Sequence, residues 1–463
     1  MTLTLADFER DALDALTRYG AIACLSPAFD AHWQESGHME EALALLAQWC
    51  NERKLQNFDV RVQRLEGRTP LLVVTVEATG TKTDTAVLYG HFDKQPPLGD
   101  WSDGLAPFVP VRRENRLYAR GVADDGYATF AALLALEELE AQGIAHGRYV
   151  VLIEASEESG SPDLEAHLDA LSDHLGNVDL MICLDSGALT YDRLWVTTSL
   201  RGVVNVELTI KVLTQGQHSG VASGVVPSSF RILRQLLDRL EDSTTGEVTL
   251  RALHATIPES HVLAATAIAK EFGDVVAEEL PTVDGLALMG RDGADRLLRR
   301  TWAPTLSVVG MGGIPAPDIA GNVLRPSTTV VLSFRLPPSI NADDAVAAID
   351  EVLTHDVPSN AQVTVTYQPA SGWVTPPLAP WLEVALEEAS RSAFGRAPGF
   401  TGEGGTIPFL GALAKRYPKV QFVATGVLGP HSNAHGIDEM LDLDMTVAVI
   451  NAIVSVLSAH ART

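Results

Sequence analysis

At 463 residues, 46% of them hydrophobic and 20% charged, the chain is long enough for a large core, either as about three domains or as one long domain with an insertion. A formal net charge of −25 argues against nucleic acid or an anionic membrane as a partner. Three scattered cysteines, Cys24, Cys50 and Cys183, exclude a disulfide framework or a cysteine-rich zinc site and fit a reducing compartment.

The opening stretch, MTLTLADFERDALDAL, has no basic region followed by an apolar one, and no uninterrupted apolar run reaches membrane-spanning length. A cytoplasmic protein is expected. Leu5, Phe8, Ala12 and Leu16, then Ala42, Leu45 and Leu46, recur at helical spacing over the first 50 residues. Strands follow at VRVQRLEG, LLVVTVEA and TAVLYGHFD. A helix from Gly126 through ATFAALLALEELEAQG stops at Gly143. YVVLIEAS, a helix near DLEAHLDALSDHL, and VDLMICLDSG complete a strand–helix alternation, the signature of an α/β domain with a mainly parallel sheet.

From about Leu200 to Pro369 the pattern changes to strands such as VVNVELTIKV and TTVVLSFRLP with helices such as SSFRILRQLLDRLED. After GWVTPPLAP it returns to α/β, with helix WLEVALEEASRSAF, strand VQFVATG and a last helix from about Asp442. The expected division is an α/β domain in two parts, 1–199 and 371–463, interrupted by an inserted α+β domain, 200–370.

Polar residues gather where these strands stop. TAVLYG runs into His91 and Asp93, VVLIEAS into Glu157 and Glu158, DLMICL into Asp185, and VQFVATG leads on to His435. Asp124 and Asp125 precede a helix. Ligands of open α/β sheets bind beyond the carboxyl ends of the strands. Taken singly, each feature has a plain structural reading: a hydrogen-bonded His-x-Asp, an N-cap at Asp124-Asp125, a turn at Asp185, a solvated loop at Glu157-Glu158. Together, so many carboxylates need a cation, and His with carboxylate but no Cys suits zinc, with manganese or cobalt as substitutes.

The segments YGHFDKQP, LYARGVADDG, EASEESGS, CLDSG, QHSG, FRLPP, GEGGTIP and NAHGIDE, spread over roughly residues 89 to 439, resemble in order and spacing the dizinc exopeptidase family of carnosinases, bacterial dipeptidases, aminoacylases, succinyl-diaminopimelate desuccinylase and glutamate carboxypeptidase. They are most similar to the carnosinase-like dipeptidases. The resemblance implies a zinc-exopeptidase-type catalytic domain with an inserted lid and dimerisation domain, hence a homodimer. It implies two zinc ions per subunit, one held by His91 and Asp185 and one by Glu158 and His435, with Asp124 bridging both. Asp93 would orient His91, and Glu157 would be the general base. His218 would stabilise the oxyanion, often in the partner's active site, and Arg335 would pair with the substrate carboxylate.

Asn322 in GNVLRP either contacts substrate or makes a turn, and alternation in VVLSFRLPP also allows Arg335 on a solvated strand face. The loop with Gly404, Gly405 and Thr406 lacks the Lys-Ser/Thr ending of a phosphate loop and reads as a glycine-rich wall whose amides meet the substrate carboxylate. His431 lies four residues before His435, but the NAH-G-x-x-E context favours His435. His32, His38, His146, His167, His174, His254, His261, His355 and His460 are expected on the surface. The family usually has Lys after the paired aspartates, where this chain has Gly126 and Tyr127. It carries Lys94 where an apolar residue is common, and Ile437-Asp438 where Pro-Asn is frequent.

The activity implied is zinc-dependent hydrolysis of a dipeptide by metal-activated water, with Glu157 moving the proton. An N-acyl amino acid amidohydrolase (deacylase or desuccinylase) would use the same centre. An inactive metal-binding scaffold would have lost Glu157 or a ligand, and all are present.

Overall fold

Unbroken apolar runs become the middle of a sheet. Every residue of Leu71–Val76 and of Thr85–His91 is buried, which requires cover on both faces. The structure, a computed structural model, describes residues 2–463. The chain divides into two units, one formed by the residues up to Thr198 with Thr375–Phe400 and Ala412–Thr463, the other by Ser199–Val374 with Thr401–Gly411.

In the first unit the strand order is Phe58–Gln63, Leu71–Val76, Arg148–Glu154, Thr85–His91, Val178–Cys183, Gln421–Ala424 and then Trp195–Leu200, whose last two residues are counted with the second unit. The four from Arg148–Glu154 to Gln421–Ala424 are mutually parallel, and antiparallel strands flank them on both sides. The mainly parallel α/β architecture expected from the strand–helix alternation is thus present. Helix Ala128–Ala141 packs on Thr85–His91. A Cβ at Gly90 would lie 2.4 Å from Ala128 Cβ and 2.6 Å from Asp125 Oδ2, so the close approach of strand and helix depends on a residue without a side chain. The helix starts at Ala128, because Val122–Gly126 forms a wide turn in which Asp124 has non-helical angles (φ −117°, ψ 91°).

Leu443–His460 is long and apolar enough to cross a membrane by length and composition alone. Within this unit it is mostly buried, packed against Ala128–Ala141 and Pro380–Phe394. Three of the histidines expected on the surface are core residues. His167 bonds Thr69 O at 2.8 Å, His146 bonds Gly147 O at 2.6 Å, and His460 bonds Asp179 Oδ1 at 2.7 Å. Each is buried because a carbonyl or carboxylate meets the ring.

The second unit is an antiparallel sheet in the order Thr305–Gly312, Ser327–Leu336, Gly202–Lys211, Gln362–Ala370. Strict alternation in Ser327–Leu336 puts Val330, Leu332, Phe334 and Leu336 on a face covered by Ser229–Leu237 and Ala342–Thr354. Thr401–Gly411, assigned from sequence to the second part of the α/β domain, clusters with this unit instead. Arg201 Nε donates to Gly404 O at 3.3 Å, Thr406 Oγ1 donates to Arg201 O at 2.6 Å, and Arg335 Nη1 donates to Thr406 Oγ1 at 3.1 Å.

Candidate metal centre

The carboxyl ends of the four parallel strands lie side by side along one edge of the sheet. His91 closes its strand, and Glu157 and Glu158 stand on the single 3-10 turn Glu157–Ser159 just after Arg148–Glu154. Asp185 follows Val178–Cys183 by two residues, and His435 lies in the turns after Gln421–Ala424. Two groups of donor atoms form, His91 with Glu157 and Asp185, and Asp124 with Glu158 and His435, the atoms in each lying within 4.8 Å of one another. Asp124 links them, with Oδ1 3.3 Å from His91 Nε2 and Oδ2 2.9 Å from His435 Nε2. His91 Nε2 is also 3.9 Å from Asp185 Oδ2, and His435 Nε2 is 3.3 Å from Glu158 Oε2. His431 is exposed and joins neither group.

His91 is fully buried. Its Nδ1 lies 3.1 Å from the Asp93 carbonyl oxygen, which can only accept, so Nδ1 carries the proton. Nε2 then presents a lone pair, and it has no hydrogen-bond partner among the described residues. A lone pair aimed at carboxylates is what a cation satisfies and another acid does not.

The electrostatics agree. Burial, then Asp185, pushes the Glu157 carboxyl well above the ordinary carboxylate range, and burial, then Asp124, raises Glu158. Burial opposes ionisation of Asp124 as well, but the imidazoles of His435 and His91 beside its two oxygens outweigh it and lower its carboxyl. Burial likewise opposes a charged His435, yet Asp124 and Glu158 push that imidazole up to about 11. The carboxylates favour positive charge beside them, and divalent cations supply it without protonating the imidazole lone pairs. Two histidines and four carboxylates without cysteine fit zinc, manganese or cobalt.

Supporting residues complete the site. Asp93 is fully buried beside His91 and also accepts the backbone N–H groups of Glu157 (3.1 Å) and Glu158 (3.0 Å). Further supports escaped the sequence reading. Gln95 Nε2 donates to Glu158 Oε2 at 2.7 Å. Glu439 accepts the N–H groups of Gly121 (2.9 Å), Ala123 (3.1 Å) and Asp124 (3.2 Å) while paired with Arg120 at 2.7 Å. Burial, then the charge of Asp124, pushes the Glu439 carboxyl up to about 7 in spite of Arg120. Tyr89 and Ser161 donate to Glu154, whose carboxyl burial lifts to about 7.

Two departures from the family pattern meet at Tyr19. A Cβ on Gly126 would sit 2.1 Å from the Tyr19 ring, leaving no room for a longer side chain. Lys94 runs along Gly121, its Nζ 4.1 Å from the Tyr19 ring centre, and donates to the carbonyls of Tyr19 (2.9 Å), Gly20 (3.4 Å) and Ile22 (2.8 Å). Tyr127 is buried and donates to Leu184 O. Asp438 accepts the N–H of Ser102 at 2.9 Å.

His218, Asn322, Arg335, Gly404, Gly405 and Thr406 belong to the second unit. His218 pairs with Val323 in a two-residue ladder, and Ser219 N–H bonds Asn322 O at 2.9 Å. Gly220 N–H donates to His218 Nδ1 at 3.1 Å, which leaves the proton on Nε2. Arg335 is on the half-exposed face of its strand, bonded to Thr406.

Residues 87–459 match the peptidase family M20/M25/M40. The cysteinylglycine-S-conjugate dipeptidase of Corynebacterium striatum is 27% identical over 369 residues, 77% of each chain. The Cys-Gly metallodipeptidase DUG1 of Saccharomyces cerevisiae is 24% identical over 407 residues, covering 85% of this chain and 83% of that one. Among solved structures, human carnosine dipeptidase 1 has the same fold, with a TM-score of 0.78 at 19% identity over 99% of this chain and 98% of the other. The chain belongs to peptidase family M20/M25/M40.

Proposed function

We propose that this protein is a zinc-dependent dipeptidase acting on peptides with a free amino group and a free carboxylate. The observation that carries the reading is Asp124, whose two oxygens reach a histidine of each donor group with Glu157 beside them. Relatives named as Cys-Gly dipeptidases support the substrate class.

His91, Asp124 and Asp185 would hold one zinc ion and Asp124, Glu158 and His435 the other; bound, the pair supplies Lewis acidity and an acidified water. Glu157 takes the proton of the attacking water and gives it to the leaving nitrogen. Its burial and its acidic neighbours raise its proton affinity, so it can hold that proton between the two transfers. Asp93 fixes the turn on which Glu157 stands. Arg335, steadied by Thr406, offers its other donors to the substrate carboxylate, with the amides of Gly404 and Gly405. His218, with its proton on Nε2, is a donor for the developing oxyanion. Asn322 holds the short ladder between His218 and Val323 by accepting the Ser219 N–H with its carbonyl. The reading extends to a cytoplasmic homodimer; a monomer by light scattering at working concentration would remove that part.

The test is a product-resolved panel in which zinc-loaded protein meets unblocked dipeptides and the matching N-acetyl and N-succinyl amino acids. Cleavage of dipeptides alone, abolished in Glu157→Gln, is the expected result. Cleavage of acyl substrates alone would make it an amidohydrolase. Equal inertness of wild type and Glu157→Gln with both zinc ions bound would leave a metal-binding scaffold.

A further inference from the structure

The second unit contains a cavity of about 930 Å³ that none of the chemistry above uses. Its walls are mainly apolar, with Val248, Ile257, Val276, Leu280, Leu286 and Met289 among them. That volume is in the range of sites for drug-sized molecules. Five arginines also line it, and four of them are neutralised locally. Arg291 pairs with Asp295, Arg296 with Asp274, Arg299 with Asp295 and Glu247, and Arg300 with Glu279.

The fifth, Arg201, is different. It is 8% exposed and faces no carboxylate among the described residues. Its acceptors are neutral and distant: Gly404 O at 3.3 Å, and Ala303 O and Thr305 Oγ1 at 3.4 Å, with none at Nη2 among the described residues. Burial, then Arg335 and Arg300, pushes this guanidinium down to about 10, with no acid pulling it back. A buried cation without a counter-charge is costly, and an arriving anion would relieve that cost.

We infer that this cavity is a second ligand site, binding a small amphipathic carboxylate whose anionic head is taken by Arg201 and whose apolar body lies against the aliphatic walls. A planar carboxylate matches the guanidinium fork, and the apolar walls disfavour a polyphosphate.

Calorimetric titration of the full-length Glu157→Gln protein with decanoate tests this without turnover, so its outcome is independent of whether the protein is a dipeptidase. Saturable one-to-one binding is expected, at least about tenfold weaker for acetate, which lacks the chain, and for decanol, which lacks the charge. Binding should persist after the metals are stripped with a chelator. Arg201→Gln should weaken it by at least about tenfold. Leu286→Asp, at a wall residue 56% exposed and therefore safe for folding, should do the same and decides the matter if Arg201→Gln does not fold. No saturable binding of decanoate, equal binding of decanol, or unchanged affinity in Leu286→Asp would each overturn the inference.

Discussion

The carboxylate of Asp93 accepts the backbone N–H of Glu158 at 3.0 Å. Its other oxygen takes the N–H of Glu157 at 3.1 Å and lies 3.4 Å from His91 Nδ1. One buried residue therefore sets the orientation of an imidazole, through its carbonyl oxygen, and the position of the two-glutamate turn, through its carboxylate. Asp93→Asn keeps the volume but turns an NH2 group toward donors that need an acceptor. Metal affinity should fall by about 10- to 100-fold, the usual cost of losing a ligand's outer partner. Competition with a chelating dye measures it; wild-type affinity in the variant would show that Asp93 positions nothing.

Glu439 does for Asp124 what Asp93 does for the glutamates. It is fully buried, as is Arg120. Glu439→Gln leaves that guanidinium without its charge partner and turns an amide donor toward three backbone donors. The expected cost is about 3 kcal/mol of stability. Denaturant unfolding of metal-stripped protein reads that cost directly. Metal-loaded protein should lose more, because Asp124 then sits on a loosened loop. A loss under about 0.5 kcal/mol, the scale of an ordinary surface change, would count against the role.

The parts of the centre visible in the sequence are those whose position follows from strand ends. Apolar runs such as Leu71–Val76 mark buried strands without any partner being known, and the residue after the run inherits its place at the sheet's edge. His91, Glu157, Glu158 and Asp185 were legible in that way. Glu439 was not, although it lies in a segment that matched a family motif. Its N–H partner Asp124 is 315 positions away, and nothing local distinguishes a carboxylate that caps backbone amides from one that binds metal. The same blindness explains His460, whose partner Asp179 is 281 positions distant. It also explains Thr401–Gly411, whose unit is decided by Arg201 and Arg335.

Lys94 sets two effects against each other. Burial disfavours its charge and lowers its pKa, so replacing it with an apolar side chain removes a desolvation cost. The same change leaves the carbonyls of Gly20 and Ile22, at the end of helix Asp14–Gly20, without their donor, while Tyr19 O keeps the N–H of Ile22 at 3.0 Å. Two orphaned acceptors, a lost bond to Tyr19 O and a lost cation–π contact outweigh the gain. Lys94→Met should therefore destabilise, by about 1–3 kcal/mol. Unfolding by urea decides the sign: a variant as stable as wild type would mean that the buried charge, rather than its bonds, dominates.

At the amino end of strand Val178–Cys183, Asp179 bonds His460 at 2.7 Å and Lys82 at 2.9 Å. It is six residues from Asp185, about 20 Å along an extended chain, so its titration can be followed apart from the metal centre. Burial raises the carboxyl, but His460 and then Lys82 outweigh it and hold it below the ordinary 3.8. A folded-state value below the unfolded one means that the unfolded chain binds the proton more tightly. The contribution is then fully present above the unfolded value and is lost as pH falls through the folded one. Asp179→Asn should cost about 1–2 kcal/mol at pH 7, since the acid is partly exposed and its bonds are charge-assisted. The difference between wild type and variant should shrink as the pH is taken below about 4. Urea unfolding of both proteins at pH 7 and pH 3 measures this, and a gap of equal size at the two pH values would show that His460 and Lys82 do not hold the carboxylate ionised.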